Sequence, residues 1–254
     1  MAKPKEIGPL SSVKFIRYAL AAHSGFGKTV QAGTAPNALF LTTDPEGTAS
    51  AARFGSSAEE WKINQWEDLD RAYLYLRDEG IKSEGYRWII IDNGTECQNL
   101  AMKKSIDRRM KLRPDTERFV PEQKDYQVSQ NAIIDFVKKM HTLPVHIMWT
   151  FHLKGTEDGN GDPFYSIAIQ GQKDQVAQQV LGYTNIIGMG QVFEHNVGGK
   201  VRTVRRTWFT HSGAYRGKDR FVALGRYQDS LTIPKMTRII RESRINSRKP
   251  RSER

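Results

Sequence analysis

The feature that most constrains the fold is "VKFIRYALAAHSGFGKTVQAG", residues 13–33, where an apolar stretch runs straight into a glycine-rich turn ending Gly-Lys-Thr. A buried strand that turns sharply into a helix aims successive backbone N–H groups at one point, and the positive helix end favours an anion there. Gly25 and Gly27 let that backbone curl and approach a ligand closely. In this pattern His23, Ser24, Gly25, Phe26, Gly27, Lys28, Thr29 and Val30 form a phosphate cradle; Lys28 reaches the terminal phosphates, and the Thr29 hydroxyl completes the coordination of Mg²⁺. The usual eight-residue pattern opens on glycine, but here Ala22 takes that place. Alanine is tolerable if the position keeps a negative φ and the neighbouring backbone leaves room.

The rest of the chain suits such a turn. "VKFIRYALA" (13–21), "ALFLTT" (38–43), "WIIID" (88–92) and "VHIMWTF" (145–151) read as strands, and residues 68–80 and 125–141 as helices. Alternation of this kind predicts an α/β fold, a largely parallel twisted sheet flanked by helices. After residue 152 the turn clusters "EDGNGD" (157–162) and "NVGGK" (196–200) predict antiparallel hairpins in the C-terminal half. One domain is expected over residues 13–234, after a tail at 1–12. Beyond it, 235–254 form a basic helix and tail with eight Lys or Arg against two Glu.

Composition narrows the function classes. Of the 254 residues 38% are hydrophobic and 26% charged, and no apolar run approaches the roughly 18–20 residues that span a bilayer. No apolar signal follows the N-terminal lysines, so an intracellular location is expected. The single cysteine, Cys97, excludes an internal disulfide and gives no zinc pattern. A formal charge of +11 favours a polyanionic partner, without choosing between DNA, RNA and an anionic membrane.

"RWIIIDN" (87–93) is a short apolar strand delivering an acid, Asp92, the layout that places a carboxylate beside a phosphate loop to hold Mg²⁺ through water. Three weaker stretches follow the same order: "TTDPEG" at 42–47, "WTFH" ending in Thr150 and His152, and "GKDR" at 217–220. Together with the loop they resemble phage-encoded RecA-like P-loop ATPases of the mycobacteriophage type, the group associated with single-strand-annealing recombination. The resemblance covers roughly residues 13–234.

By that resemblance Glu46 polarises the attacking water, and His152 senses the γ-phosphate from a strand lying between the loop strand and the Asp92 strand. Lys218 and Arg220 reach the γ-phosphate of a neighbouring subunit. The resemblance further implies ATP and Mg²⁺ as cofactors, a homo-oligomeric, hexameric ring, and the cytoplasm of an infected host. It also puts DNA-facing loops after the Asp92 strand, where "KKSIDRRMKLRPDTERFVPEQK" (103–124) makes Lys111, Arg113, Arg118 and Phe119 candidates for contact with single-stranded DNA. The charge alternation of "KVRTVRRTWFTH" (200–211) reads as a hairpin strand with Arg202, Arg205 and Arg206 on a solvated face. Two rivals share the loop: a replicative-type helicase motor, and a non-hydrolysing annealing protein that uses nucleotide only for assembly. A small-molecule kinase is disfavoured by the lack of an arginine-rich lid.

Overall fold

The apolar runs become strands because each alternates its side chains between two covered faces. The structure, a computed structural model, describes residues 13–117, 120–197 and 200–247. In chain order the described elements are β1 Arg17–Ala22, α1 Lys28–Gly33, β2 Ala38–Thr42, α2 Ala49–Arg53, β3 Glu59–Lys62 and α3 Trp66–Tyr75. A widened turn, Leu76–Gly80, leads into α4 Ile81–Ser83, followed by β4 Trp88–Asp92, α5 Gly94–Leu112, α6 Gln123–Thr142 and β5 His146–Phe151. Then come β6 Leu153–Glu157, β7 Pro163–Ile167, α7 Gln175–Gly182, β8 Ile186–Val197, β9 Lys200–Trp208, β10 His211–Ser212, β11 Tyr215–Arg216, β12 Lys218–Asp219, β13 Tyr227–Asp229 and α8 Ile233–Ser247.

The main sheet runs β13-β9-β8-β1-β5-β4-β2-β3, with β12 added beside β8. From β8 to β3 every pairing is parallel. β9, β12 and β13 join antiparallel, as the turn clusters of the C-terminal half predict. A smaller sheet, β10-β11-β7-β6, stands apart. The hairpin turn between β6 and β7 is closed by Asp158, whose carboxylate accepts from the backbone of Asn160 and Asp162 and from Arg216 at 2.8 Å.

Period-2 alternation divides each central strand between two apolar clusters. On β1, Ala19 and Ala21 join one, and Tyr18, Leu20 and Ala22 the other. β4 splits likewise, Ile89 and Ile91 against Trp88 and Ile90. Helices α3, α5, α6 and α7 cover the first face, with Leu69, Ala101, Phe136 and Val180 among the buried residues; α1 and α8 cover the second with Ala32, Met236 and Ile240. Arg17 locks the base of β1 to the end of α6, donating to the carbonyls of Val145, His141 and Leu143. Burial lowers its pKa to about 10.

Two segments depart from the sequence expectation. β3 is an exposed edge strand, Glu59-Glu60-Trp61-Lys62, whose charged residues hide the strand pattern. Residues 103–112 are not a loop but the second half of α5. That half packs antiparallel on α6 because a buried ion pair joins them: Arg109 donates to Asp125 at 2.9 Å and to the Val120 carbonyl, and Ser105 also donates to Asp125.

Candidate nucleotide site

β1 is held on both sides, by β5 and by β8, so the turn that follows it has a fixed root. Gly25 and Gly27 have φ of +80° and +94°, the left-handed region that costs a side chain dearly. Ala22 is fully buried and pairs with Gly190 on β8. A Cβ at Gly190 would lie 2.8 Å from the Ala22 Cβ and 2.7 Å from the ring of Phe26, itself a loop residue. The methyl that replaces the leading glycine is therefore accommodated by a glycine on the neighbouring strand.

Lys28 and Thr29 open α1. The Lys28 ammonium donates to the carbonyls of Ala22 (2.9 Å) and His23 (3.2 Å), and burial lowers its pKa against the opposing pull of Asp92. The Thr29 hydroxyl donates to Asp92 Oδ2 at 2.7 Å, and the buried Thr150 hydroxyl donates to Oδ1. Asp92 ends β4 and is itself buried. Thr43, just past β2, donates its backbone N–H to the Asp92 carbonyl at 2.9 Å and accepts the Asn93 N–H on its hydroxyl at 3.1 Å. Asn93 caps α5 by accepting the Glu96 N–H at 2.8 Å. At Gly94 a Cβ would stand 2.3 Å from the Phe151 ring, which leaves no room for a larger residue.

A hydroxyl and a carboxylate in contact are hard oxygen donors of the kind Mg²⁺ takes. No cluster of three His, Cys, Asp or Glu exists among the described residues. Thr29 and Asp92 are thus brought together as a pair, with Lys28 beside them.

His152 follows β5 and comes within 3.4 Å of the Asn93 side-chain amide, while its backbone N–H donates to the Thr95 hydroxyl. Burial and then the charge of Lys28 lower its pKa, opposed by Glu96 and Asp92, which keeps the imidazole neutral at pH 7. His23 and Ser24 are exposed, and the His23 ring meets Tyr165 of the small sheet edge-on at 5.5 Å. Glu46 lies in an exposed turn organised by Asp44, and its carboxylate makes no hydrogen bond or ion pair among the described residues.

Lys218 and Arg220 lie at the opposite end of the sheet. Lys218 faces Ile187, which pairs with Ala19 near the start of β1, whereas the loop leaves from Ala22. Both side chains hold carbonyls at the C-terminal end of α7 or just past it: Lys218 donates to Leu181 at 3.4 Å and, beyond the helix, to Thr184 at 2.8 Å, and Arg220 donates to Gly182 at 3.3 Å. At the tip of the α5–α6 hairpin Lys111 is exposed and Arg113 is paired with Glu122 at 2.7 Å; Arg118 and Phe119 lie outside the described residues.

Reading the sequence alone missed three participants. Gly190 looks like an ordinary strand residue that no local pattern marks, and Thr43 lies inside the "TTDPEG" stretch, where Glu46 rather than the threonine is the candidate. Arg205 on β9 is not on a uniformly solvated face: its Nε lies 3.5 Å from the position of a Cβ at Gly27. Thr150 stood in the same stretch as His152, and it is Thr150 that touches Asp92.

A cleft of about 1100 Å³ opens beside Thr95, between α5, α6 and residues 168–179. Gln98, Gln127, Gln130, Gln170, Gln175 and Gln179 contribute to its lining, which contains neither Asp nor Glu. Gln98 fixes one wall, donating to the Gln170 carbonyl at 2.9 Å and accepting its N–H at 2.6 Å.

Among the described residues no helix is long and apolar enough to cross a membrane. No curated protein matches the chain. Residues 14–221 match the family model described as an AAA domain, a span that holds the phosphate loop, Asp92 and the strands between them. The chain therefore belongs to the AAA domain family, of P-loop ATPase type.

Proposed function

We propose that the protein is a RecA-like, Mg²⁺-dependent ATPase that forms a ring, of six subunits, and couples hydrolysis to binding of single-stranded DNA in phage recombination or replication. The observation that most supports this reading is the convergence of Lys28, Thr29 and Asp92 at the root of the glycine-rich turn. Lys28, already pointing along the turn, exchanges carbonyl partners for terminal phosphate oxygens. Thr29 and Asp92 would hold Mg²⁺, which when bound supplies positive charge against the β- and γ-phosphate oxygens. His152, neutral, offers a ring N–H to the γ-phosphate, and its link to Asn93 and Thr95 ties that contact to the start of α5. Glu46, exposed and without an ion-pair partner among the described residues, accepts the proton of the attacking water.

Lys218 and Arg220 act on the nucleotide of the next subunit, a role that requires them to leave the α7 carbonyls. Support for a nucleic-acid partner is the +11 charge and the basic stretch 103–124 of the sequence, which contains Lys111, Arg113, Arg118 and Phe119. The amide-lined cleft beside Thr95 offers hydrogen-bonding groups to unpaired bases next to the nucleotide.

Phosphate release measured with and without single-stranded DNA tests the reading, with Lys28→Ala as the inactive control. DNA-stimulated turnover in the parent and none in Lys28→Ala is expected. Annealing that is unchanged in Lys28→Ala, with no turnover in the parent, would replace the proposal by the non-hydrolysing alternative. Mass measurement with ATP and Mg²⁺ tests the ring, and a monomer in every condition would remove the role given to Arg220.

A further inference from the structure

We infer that Arg205 is a phosphate-contacting residue of the nucleotide site, supplied by the same chain from the β8–β9 hairpin. The inference rests on the nucleotide reading above and adds to it a residue far from the glycine-rich turn in sequence.

Strand alternation sets the direction of the side chain. Thr207, two residues on, sits against Gly188 and the Tyr18 ring, on the sheet face that also carries Ala22 and Phe26. Arg205 therefore shares the face of the phosphate loop. Its Nε and Cδ lie 3.5 and 3.7 Å from where a Cβ at Gly27 would stand, in the same place where the Val30 Cβ comes within 4.0 Å. The guanidinium accordingly overhangs the part of the loop that leads into Lys28 and Thr29.

Its neighbour is committed elsewhere. Arg206, on the other face, forms a two-pronged pair with Asp229 at 2.7 and 2.9 Å and lies 3.7 Å over the Tyr227 ring. Arg205 has no carboxylate partner among the described residues, although its backbone carbonyl is fixed by the Ser230 N–H. The hairpin root beneath it is positioned by the packing of Gly190 on Ala22 and Phe26. A planar, permanently charged group with five donors, held over a turn that binds phosphate, is matched to oxygens of the phosphate chain. The added charge would also raise the local attraction for any polyanionic nucleotide.

The test is calorimetric binding of ATP, ADP and adenosine to the full chain and to Arg205→Ala, Arg205→Lys and Lys28→Ala, each checked for an unchanged thermal transition. Loss of one charge-assisted hydrogen bond predicts that Arg205→Ala weakens ATP and ADP binding roughly tenfold to a hundredfold, with Arg205→Lys between it and the parent. Adenosine binding should stay within about twofold of the parent. Equal losses for adenosine and ATP would overturn the phosphate assignment in favour of a base contact. If Arg205→Ala binds ATP like the parent while Lys28→Ala does not, the inference fails and the nucleotide site stands. If the parent takes up neither ATP nor ADP, the nucleotide reading itself falls and the inference with it.

Discussion

Exchanging the methyl group between Ala22 and Gly190 tests how this chain accommodates a phosphate loop that begins with alanine. Gly190→Ala places a Cβ at 2.7 and 2.8 Å from Phe26 ring atoms and 2.8 Å from the Ala22 Cβ, all in a region with almost no solvent access. Overpacking of this kind costs about 1–3 kcal/mol. At about 2 °C per kcal/mol for a chain of this size, the transition should drop by roughly 2–6 °C. Ala22→Gly loses a buried methyl worth about 0.8 kcal/mol and adds a backbone entropy cost of about 0.5–1 kcal/mol. The double variant removes one of the two close approaches, so its loss should fall short of the sum of the single losses by about 0.5 kcal/mol or more. Rescue stays partial because the Phe26 ring still meets the new methyl. Urea unfolding gives the stabilities, and nucleotide titration reports whether the displaced Phe26 has distorted the loop. A Gly190→Ala protein as stable as the parent, or losses that add within about 0.3 kcal/mol, would refute the idea that this glycine makes room for Ala22.

Replacing Asp92 by Ala takes the acceptor from the hydroxyls of Thr29 and Thr150, so Mg²⁺-dependent turnover should fall by roughly 100-fold or more, while ADP binding without Mg²⁺ changes little in a fluorescence titration. Acid should weaken the fold through two histidines: His141 accepts the Trp149 indole N–H and His146 the Ile16 backbone N–H, and burial lowers their pKa values to about 3 and about 4. Between those values and the ordinary 6.5 the unfolded chain binds protons that the folded one refuses, so stability falls as pH drops below about 6.5, by about 1–2 kcal/mol per histidine at pH 5. Urea midpoints at pH 7.5 and pH 5 check this, and equal midpoints would contradict it. Arg109→Ala leaves the Asp125 carboxylate buried without its ion-pair partner, which predicts a loss of about 3–5 kcal/mol and faster amide exchange along α5 and the start of α6.

The parallel core was legible because strands covered on both faces must be apolar throughout, as "WIIID" and "HIMWTF" are, and because a glycine-rich turn after such a strand has few other uses. The pairing of Thr29 with Asp92 followed from the same logic, since Asp92 ends one buried strand and Thr29 opens the helix that follows the glycine-rich turn of another. What escaped was long-range or masked by charge. β3 lies on the sheet edge and carries Glu59, Glu60 and Lys62, so its alternation is invisible. The second half of α5 looked like a basic loop because Arg109 is charged yet buried, its cost offset by an aspartate sixteen residues away. Gly190 and Arg205 act on the loop through pairings that join distant parts of the chain, and no window along the sequence contains both partners.

The length of β8 has its own mechanical outcome. Its first five residues are clamped against β1, but Gln191 to Val197 continue past that strand with β9 as their pairing partner. Seven residues extend about 24 Å, so a tilt of about 10° at the clamp swings the far end by about 4 Å. A cation near the base of this lever that takes hold of an anion would turn a local tug into a displacement large enough for another molecule to register.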